Sequence, residues 1–183
     1  MTTPEQVLDF WLDEVGPLKW YSGDPELDRE IAERFETAVR AARDGYLEKW
    51  ILHPREALAL LILLDQFPRN IWRGAADAFR GDARAVALAK RAIHLGHDRK
   101  VGEPERQFFY LPLMHAESLM DQDRCVRLIL TRMPETGENN LKHAVAHRDL
   151  IRRFGRFPFR NEALKRPPTK EEVAWLASGG YSA

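Results

Sequence analysis

A chain of 183 residues and 21.2 kDa is the size of one ordinary domain. It can bury roughly 70% of the surface its unfolded form exposes, enough for a core without covalent staples. With 31% charged and 44% hydrophobic residues the composition is that of a globular protein. The 28 basic and 28 acidic side chains cancel, so no global field gathers nucleic acid or anionic membrane. A lone cysteine, Cys125, excludes an internal disulfide framework and a cysteine-built zinc site. No apolar run is long enough to span a bilayer, and the start MTTPEQVLDF has no basic-then-apolar leader. The expectation is a soluble, cytoplasmic, single domain over residues 1–183.

Every long segment has helical period. Thr3-Pro4-Glu5-Gln6 is a capping box with proline at the first helical position, and Val7, Phe10, Trp11 and Val15 fall on one face behind it. Gly16-Pro17 should stop this helix. Asp24-Pro25 opens a second, with the stripe Leu27, Ile31, Phe35, Ala38 and Ala42. His53-Pro54 opens a third. Its eight consecutive apolar residues, Ala57 to Leu64, predict a helix buried on all sides, ended by Pro68. Gly81-Asp82 starts a fourth, with Val86, Ala89 and Ile93 inward and Gly96 beyond its end. Glu103-Pro104 starts a fifth, uncharged from Phe108 to Met114, with a kink expected at Pro112. A sixth spans roughly Asp123 to Arg132. A seventh carries Leu141, Ala144, His147, Ile151 and Phe154, and Gly155 ends it. Thr169-Lys170-Glu171-Glu172 is a second capping box, opening a last helix with Val173 and Leu176 inward. Short linkers between helices suit antiparallel pairs in a helical array of about eight helices, an all-α fold.

Charge is uneven along the chain. Residues 1–36 carry ten acidic and three basic side chains, a net of minus seven; residues 148–166 carry seven basic and two acidic, a net of plus five. Such runs are expected where the two ends meet in the fold or are simply solvated.

The informative residues are ionisable groups on the two greasiest helices. Asp65 shares a face with Leu58 and Leu61 and lies where the helix dipole disfavours a carboxylate. His115 follows Phe108 and Leu111 on one stripe, and Glu117 follows Tyr110 and Leu113. A buried carboxylate needs a partner or keeps its proton. Arg69, Arg73, Arg153, Arg156 and Arg160 are available, and a guanidinium bonds both carboxylate oxygens. Two readings stay open. In one, Asp65 and Glu117 pair with these arginines and only fix helix packing. In the other, arginines left over line a polar cavity that binds an anion.

Other constellations are weaker. His143 and His147 could face one way as metal ligands, but His-Ala-Val-Ala-His lacks the glutamate of the zinc-protease pattern and no third ligand stands out, so no metal and no other cofactor is expected. His147 by itself reads as a satisfied core residue. The run from Arg152 to Arg160 interleaves arginine with phenylalanine in the manner of single-strand binders. Core phenylalanines and arginines at a helix C-terminus explain it more simply, and neutral net charge argues against nucleic acid. There is no glycine-rich phosphate loop and no nucleophile elbow.

Three blocks together resemble one family: Leu64-Asp65-Gln66-Phe67-Pro68-Arg69-Asn70; Phe109-Tyr110-Leu111-Pro112-Leu113-Met114-His115-Ala116-Glu117-Ser118; and His147 onward through Arg153-Phe154-Gly155-Arg156-Phe157-Pro158-Phe159-Arg160-Asn161. The chain is similar to the bacterial domain of unknown function 924 family, from Val7-Leu8-Asp9-Phe10-Trp11 to the Thr169–Leu176 cap. The resemblance implies an all-helical, tetratricopeptide-repeat-like fold and no established activity. Where the family commonly has histidine, this chain has Phe159. Phe67-Pro68-Arg69-Asn70 and Phe157-Pro158-Phe159-Arg160-Asn161 also look alike, each offering arginine and asparagine beyond a proline.

These readings converge on one expectation: Asp65, Arg69, Asn70, His115, Glu117, Arg156 and Asn161 line a cavity. Arg69 and Arg156 would hold a carboxylate or phosphate, and Asn70 and Asn161 would orient it. His115, Glu117 and Asp65 are the candidates for acid–base chemistry, with His115 foremost. The rival reading is a non-catalytic module whose concave helical surface takes a peptide or protein partner.

Overall fold

The computed structural model describes residues 2–181, and among these there is no β-strand. Helix α1 (Pro4–Leu8) starts on the expected capping box: the Gln6 N–H donates to Thr3 Oγ1 at 3.3 Å and the Thr3 N–H to Gln6 Oε1 at 2.9 Å. It widens into π-helical turns over Asp9–Val15, and Gly16, at φ 72°, closes them with an N–H to the Trp11 carbonyl at 3.2 Å. Helix α2 (Pro25–Arg43) is capped by Asp24 and buries Leu27, Ile31, Phe35, Ala38, Val39 and Ala42, the stripe its sequence lays out.

Helix α3 (Pro54–Leu61) is buried on every side; each residue from Ala57 to Leu64 is 0% exposed. Pro68 does not end it. The chain passes through a π-helical segment, Ile62–Gln66, into α4 (Phe67–Ile71), where proline occupies the first turn. An α-helix through Pro68 would lose a donor and drive the ring into the Leu64 carbonyl. Here the proline instead occupies the first turn of α4, where a missing N–H is tolerated. The Phe67 N–H reaches back five residues to the Ile62 carbonyl. The Leu64 carbonyl faces Gly81, so closely that a Cβ there would stand 2.8 Å from its oxygen.

Helix α5 (Asp82–His94) turns Ala85, Leu88, Ala89, Ala92 and Ile93 inward, leaves Val86 half-buried, and is followed by Gly96 in the left-handed region at φ 74°. The expected fifth helix is broken rather than kinked. A 3-10 turn over Glu105–Phe109 gives way at Tyr110 to the short α6 (Leu111–Met114), so Pro112 lies in a first turn, where its missing N–H is no loss.

Helix α7 (Leu119–Arg132) begins four residues earlier than its apolar pattern suggests, because the polar Asp121 and Gln122 are themselves buried. It is joined through Met133–Gly137 to α8 (Glu138–Phe154), which stops at Gly155 with φ 71°. Helix α9 (Lys170–Ala177) carries the second capping box. Its inward face differs from expectation: Val173 and Leu176 are 51% and 40% exposed. Glu172 and Trp175 turn inward instead, the indole 5.5 Å from the Phe154 ring, because the capping box and an ion pair at Glu172 set the helix rotation.

The chain clusters into two compact units, one up to Pro112 and one from Leu113 onward. The first has an aromatic centre: Phe10 and Phe67 each stand 5.0 Å from Phe35, Trp11 is 5.3 Å from Phe67, and Trp20 is 4.8 Å from Phe108. In the second, Leu150, Ile151 and Phe157 form a cluster flanked by Phe154, Phe159, Trp175 and Tyr181, and Cys125 is buried.

If α3 is packed all round, truncations on opposite faces should hurt alike. Leu60→Ala and Ile62→Ala should each lower unfolding free energy by about 2–5 kcal/mol in urea titration, whereas a one-sided helix would show one tolerant position.

Candidate functional site

In the first unit, Asp65 and Arg69 belong to one ionic cluster and Asn70 to another. Asp65, 1% exposed, lies in the π-helical segment and takes an amide hydrogen bond from Gln66 at 2.5 Å. One terminal nitrogen of Arg69 is 3.3 Å from the Asp65 carboxylate and also donates to the Asp65 carbonyl. The other is 3.2 Å from both Asp82 oxygens. Burial works against the charge on Arg69, but Asp65 and then Asp82 outweigh it and raise its pKa. Asn70 donates to Asp28 at 2.8 Å, and Arg73 grips the same carboxylate through two bonds of 2.8 Å. Tyr21, which no sequence pattern marks, donates its hydroxyl to Gln107 Oε1 at 2.6 Å. Much of its ring meets solvent, yet burial around the hydroxyl end and the Asp65 charge raise its pKa.

The second unit holds the other four candidates. His115 is half-buried, in the bend that follows α6. Glu117 stands in that same bend rather than on a buried helix face, with its side chain 27% exposed. One of its oxygens accepts the Phe157 N–H at 2.8 Å, and the other pairs with Arg166 at 2.7 Å. Burial pushes the Glu117 pKa up, but Arg166 and the Phe157 N–H prevail and lower it. Arg166 also donates to the Asn161 side-chain oxygen at 2.9 Å and the Phe157 carbonyl at 3.0 Å. Nothing in the sequence marks Arg166; it precedes a proline pair in a stretch without periodicity, and only the chain path brings it to Glu117.

Arg156 faces elsewhere. Its fork takes both oxygens of Glu172, at 2.7 and 2.8 Å, and donates to the Pro167 carbonyl at 2.9 Å. Glu172 is 1% exposed. The Arg156 hydrogen bonds, against the opposing effect of burial and with help from the Thr169 N–H and Asn161, hold its pKa down to about 2. The capping box was the signal for this residue, since it puts Glu172 at the third helical position beside the Thr169 backbone.

His147, 2% exposed, is the centre of the second unit's polar chemistry. Its Nδ1 lies 3.0 Å from the Met114 carbonyl. A carbonyl oxygen only accepts, so Nδ1 carries the proton and Nε2 keeps its lone pair. Nε2 is buried and has no hydrogen-bond partner among the described residues. The ring is surrounded by Phe157 at 5.0 Å, Tyr181 edge-on at 5.4 Å, His115 at 6.2 Å and Phe159 at 6.4 Å. Phe159 stacks on Phe157 at 5.3 Å, so in this chain the position acts through packing. Burial first, then the neighbouring His115, Arg160 and His143, push the His147 pKa down to about 3, against the pull of the Met114 carbonyl. The ring is therefore neutral at neutral pH. Among the described residues no group of three histidine, cysteine or carboxylate side chains is placed to hold a metal ion, and no helix is long and apolar enough to cross a membrane.

Comparison with known proteins agrees with the helical architecture. The sequence model of a family described as "Bacterial protein of unknown function (DUF924)" matches residues 7–180. The solved structure of a protein of unknown function from Agrobacterium tumefaciens superposes with a TM-score of 0.90 at 42% identity, covering 96% of this chain and 97% of the other. No curated protein sequence matches the chain.

The Arg156–Glu172 pair sets a pH dependence. A carboxyl with an ordinary pKa of 4.5 and a folded value of about 2 contributes stability that is complete above pH 4.5 and disappears as the pH falls toward 2. Glu172→Gln should lower stability at pH 7 and flatten the stability profile between those limits in urea titrations across pH.

Proposed function

Since the chain belongs to the DUF924 family of bacterial proteins of unknown function, with no activity to inherit from it, we propose a function from the site alone: the protein binds a small anionic molecule in its second unit, beside His147 and His115. The single observation that supports this most is the unsatisfied Nε2 of His147, held inside the fold with its tautomer set by a backbone carbonyl. A buried acceptor without a partner costs about 1–3 kcal/mol, a penalty a ligand would relieve. Arg160, a fixed cation whose charge disfavours a proton on His147, adds positive potential at the ring, which favours an anion. Phe157, Phe159 and Tyr181 supply apolar walls, and Asn161 stands next to Phe157 through their shared partner Arg166.

The remaining candidates divide by occupation. Asp65, Arg69 and Asn70 serve the architecture of the first unit, since Arg69 and Asn70 already bond Asp82 and Asp28. Arg156 likewise serves Glu172. Acid–base chemistry on a bound molecule would fall to His115, half-buried beside His147, with Glu117 two residues along.

A ligand that binds only the native state raises the melting temperature. Thermal-shift measurements with millimolar orthophosphate, phosphate monoesters and short carboxylates should find at least one anion that stabilises by about 2–3 kcal/mol at one hundred times its Kd, a rise of roughly 5–10 °C. His147→Ala should abolish the shift. If every anion leaves the wild-type transition unmoved at these concentrations, the reading is wrong.

A further inference from the structure

Resting on the reading of the second unit as an anion site, we propose that the anion it takes carries its own hydrogen-bond donor: an oxyanion with a hydroxyl, such as a hydrogen phosphate, a protonated phosphate monoester or a hydroxy acid. Fully ionised anions without a hydroxyl are rejected.

The argument is geometric. His147 can offer Nε2 as a donor only by moving its proton, by flipping its ring, or by gaining a second proton. The first two give up the 3.0 Å bond from Nδ1 to the Met114 carbonyl. That carbonyl is itself pinned, because the buried Gln122 amide donates to it at 2.6 Å and to the Ala116 carbonyl at 2.8 Å. A second proton would place a cation inside an aromatic enclosure next to Arg160, His115 and His143. Nε2 is thus a fixed acceptor. An oxygen lone pair brought against it meets another lone pair, whereas a hydroxyl makes a hydrogen bond in a low-dielectric setting where that bond is strong. The Tyr181 hydroxyl is already engaged with His143 Nδ1 at 2.5 Å, and both oxygens of Glu117 are taken by the Phe157 N–H and Arg166. Sites that require a hydrogen-bonding hydroxyl discriminate strongly against analogues lacking it, since the buried partner is then left unpaired.

Two matched pairs of anions test this by isothermal titration calorimetry on the whole protein at pH 7 and constant ionic strength. Phosphate and sulfate share size and shape, but only phosphate keeps a proton at that pH; glycolate and acetate differ by one hydroxyl. The hydroxyl-bearing member of at least one pair should bind about ten-fold tighter or more. Selectivity in the first pair alone identifies a phosphate, and in the second alone a hydroxy acid. His147→Gln, which puts an amide able to donate near the position of Nε2, should bring the favoured pair within about two-fold. If that variant does not fold, the wild-type pairs still decide. Equal affinities within both pairs would overturn the donor requirement and leave the anion site standing. Absence of binding by all four would overturn both.

Discussion

One proline organises the deepest part of the first unit. Pro68 follows a helix that is apolar on every face, and an ordinary α-helical turn through it would bury a steric clash and an unsatisfied carbonyl. The chain responds by widening to π-helical turns over Ile62–Gln66, and the altered geometry carries consequences outward. The Leu64 carbonyl points at Gly81, where only the absence of a side chain permits the approach. Asp65 is held within the same segment, so a carboxylate enters the core, and Arg69, one turn on, neutralises it while reaching Asp82 at the start of α5. A backbone irregularity, a glycine contact and a buried ion pair are therefore a single device. π turns of this kind often accompany functional positions.

The second unit solves a comparable problem with a carbonyl instead of a proline. The Met114 oxygen, at the end of the short α6, accepts from the Gln122 amide and from His147 Nδ1. Those two bonds tie the bend at residues 115–118 to α7 and α8, and they fix the histidine tautomer as a by-product. Around them the charged groups are matched: Glu117 with Arg166, Glu172 with Arg156. Such pairs lend specificity of packing more than net stability, because desolvation offsets much of the Coulombic gain. They also narrow the chemistry. With the carboxylates engaged, one group left without a partner in the second unit is a neutral nitrogen lone pair behind aromatic rings. This is why the functional reading centres on His147, which the apolar stripe of α8 presents as ordinary core.

Local signals were legible wherever the physics is local. Thr3 with Gln6 and Thr169 with Glu172 close reciprocal bonds within four residues, so the capping boxes could be recognised directly. The stripe of α2 and the unbroken apolar run of α3 carry their burial in their spacing, and Gly96 and Gly155 mark helix ends through a backbone conformation other residues avoid. Membership of the family was legible in the motif blocks around Pro68, Pro112 and Pro158. Asp65 reads as buried because the run that leads to it, Ala57 to Leu64, is apolar on every face, and it is 1% exposed.

What failed to show in the sequence depends on contacts between distant residues. Pro68 reads as a stop unless the partners that reward continuation are known. Val173 and Leu176 read as inward until the Arg156–Glu172 pair fixes the rotation of α9. Arg166 finds Glu117 across 49 residues, and His147 finds the Met114 carbonyl across 33. The amino-acid sequence by itself determined an all-helical protein, its capping boxes and glycine-marked helix ends, its greasiest segments and its family. Only the tertiary structure decided which ions pair, which way α9 faces and which nitrogen of His147 is bare, because those outcomes turn on donor and acceptor geometry between elements, which no periodicity along one element encodes.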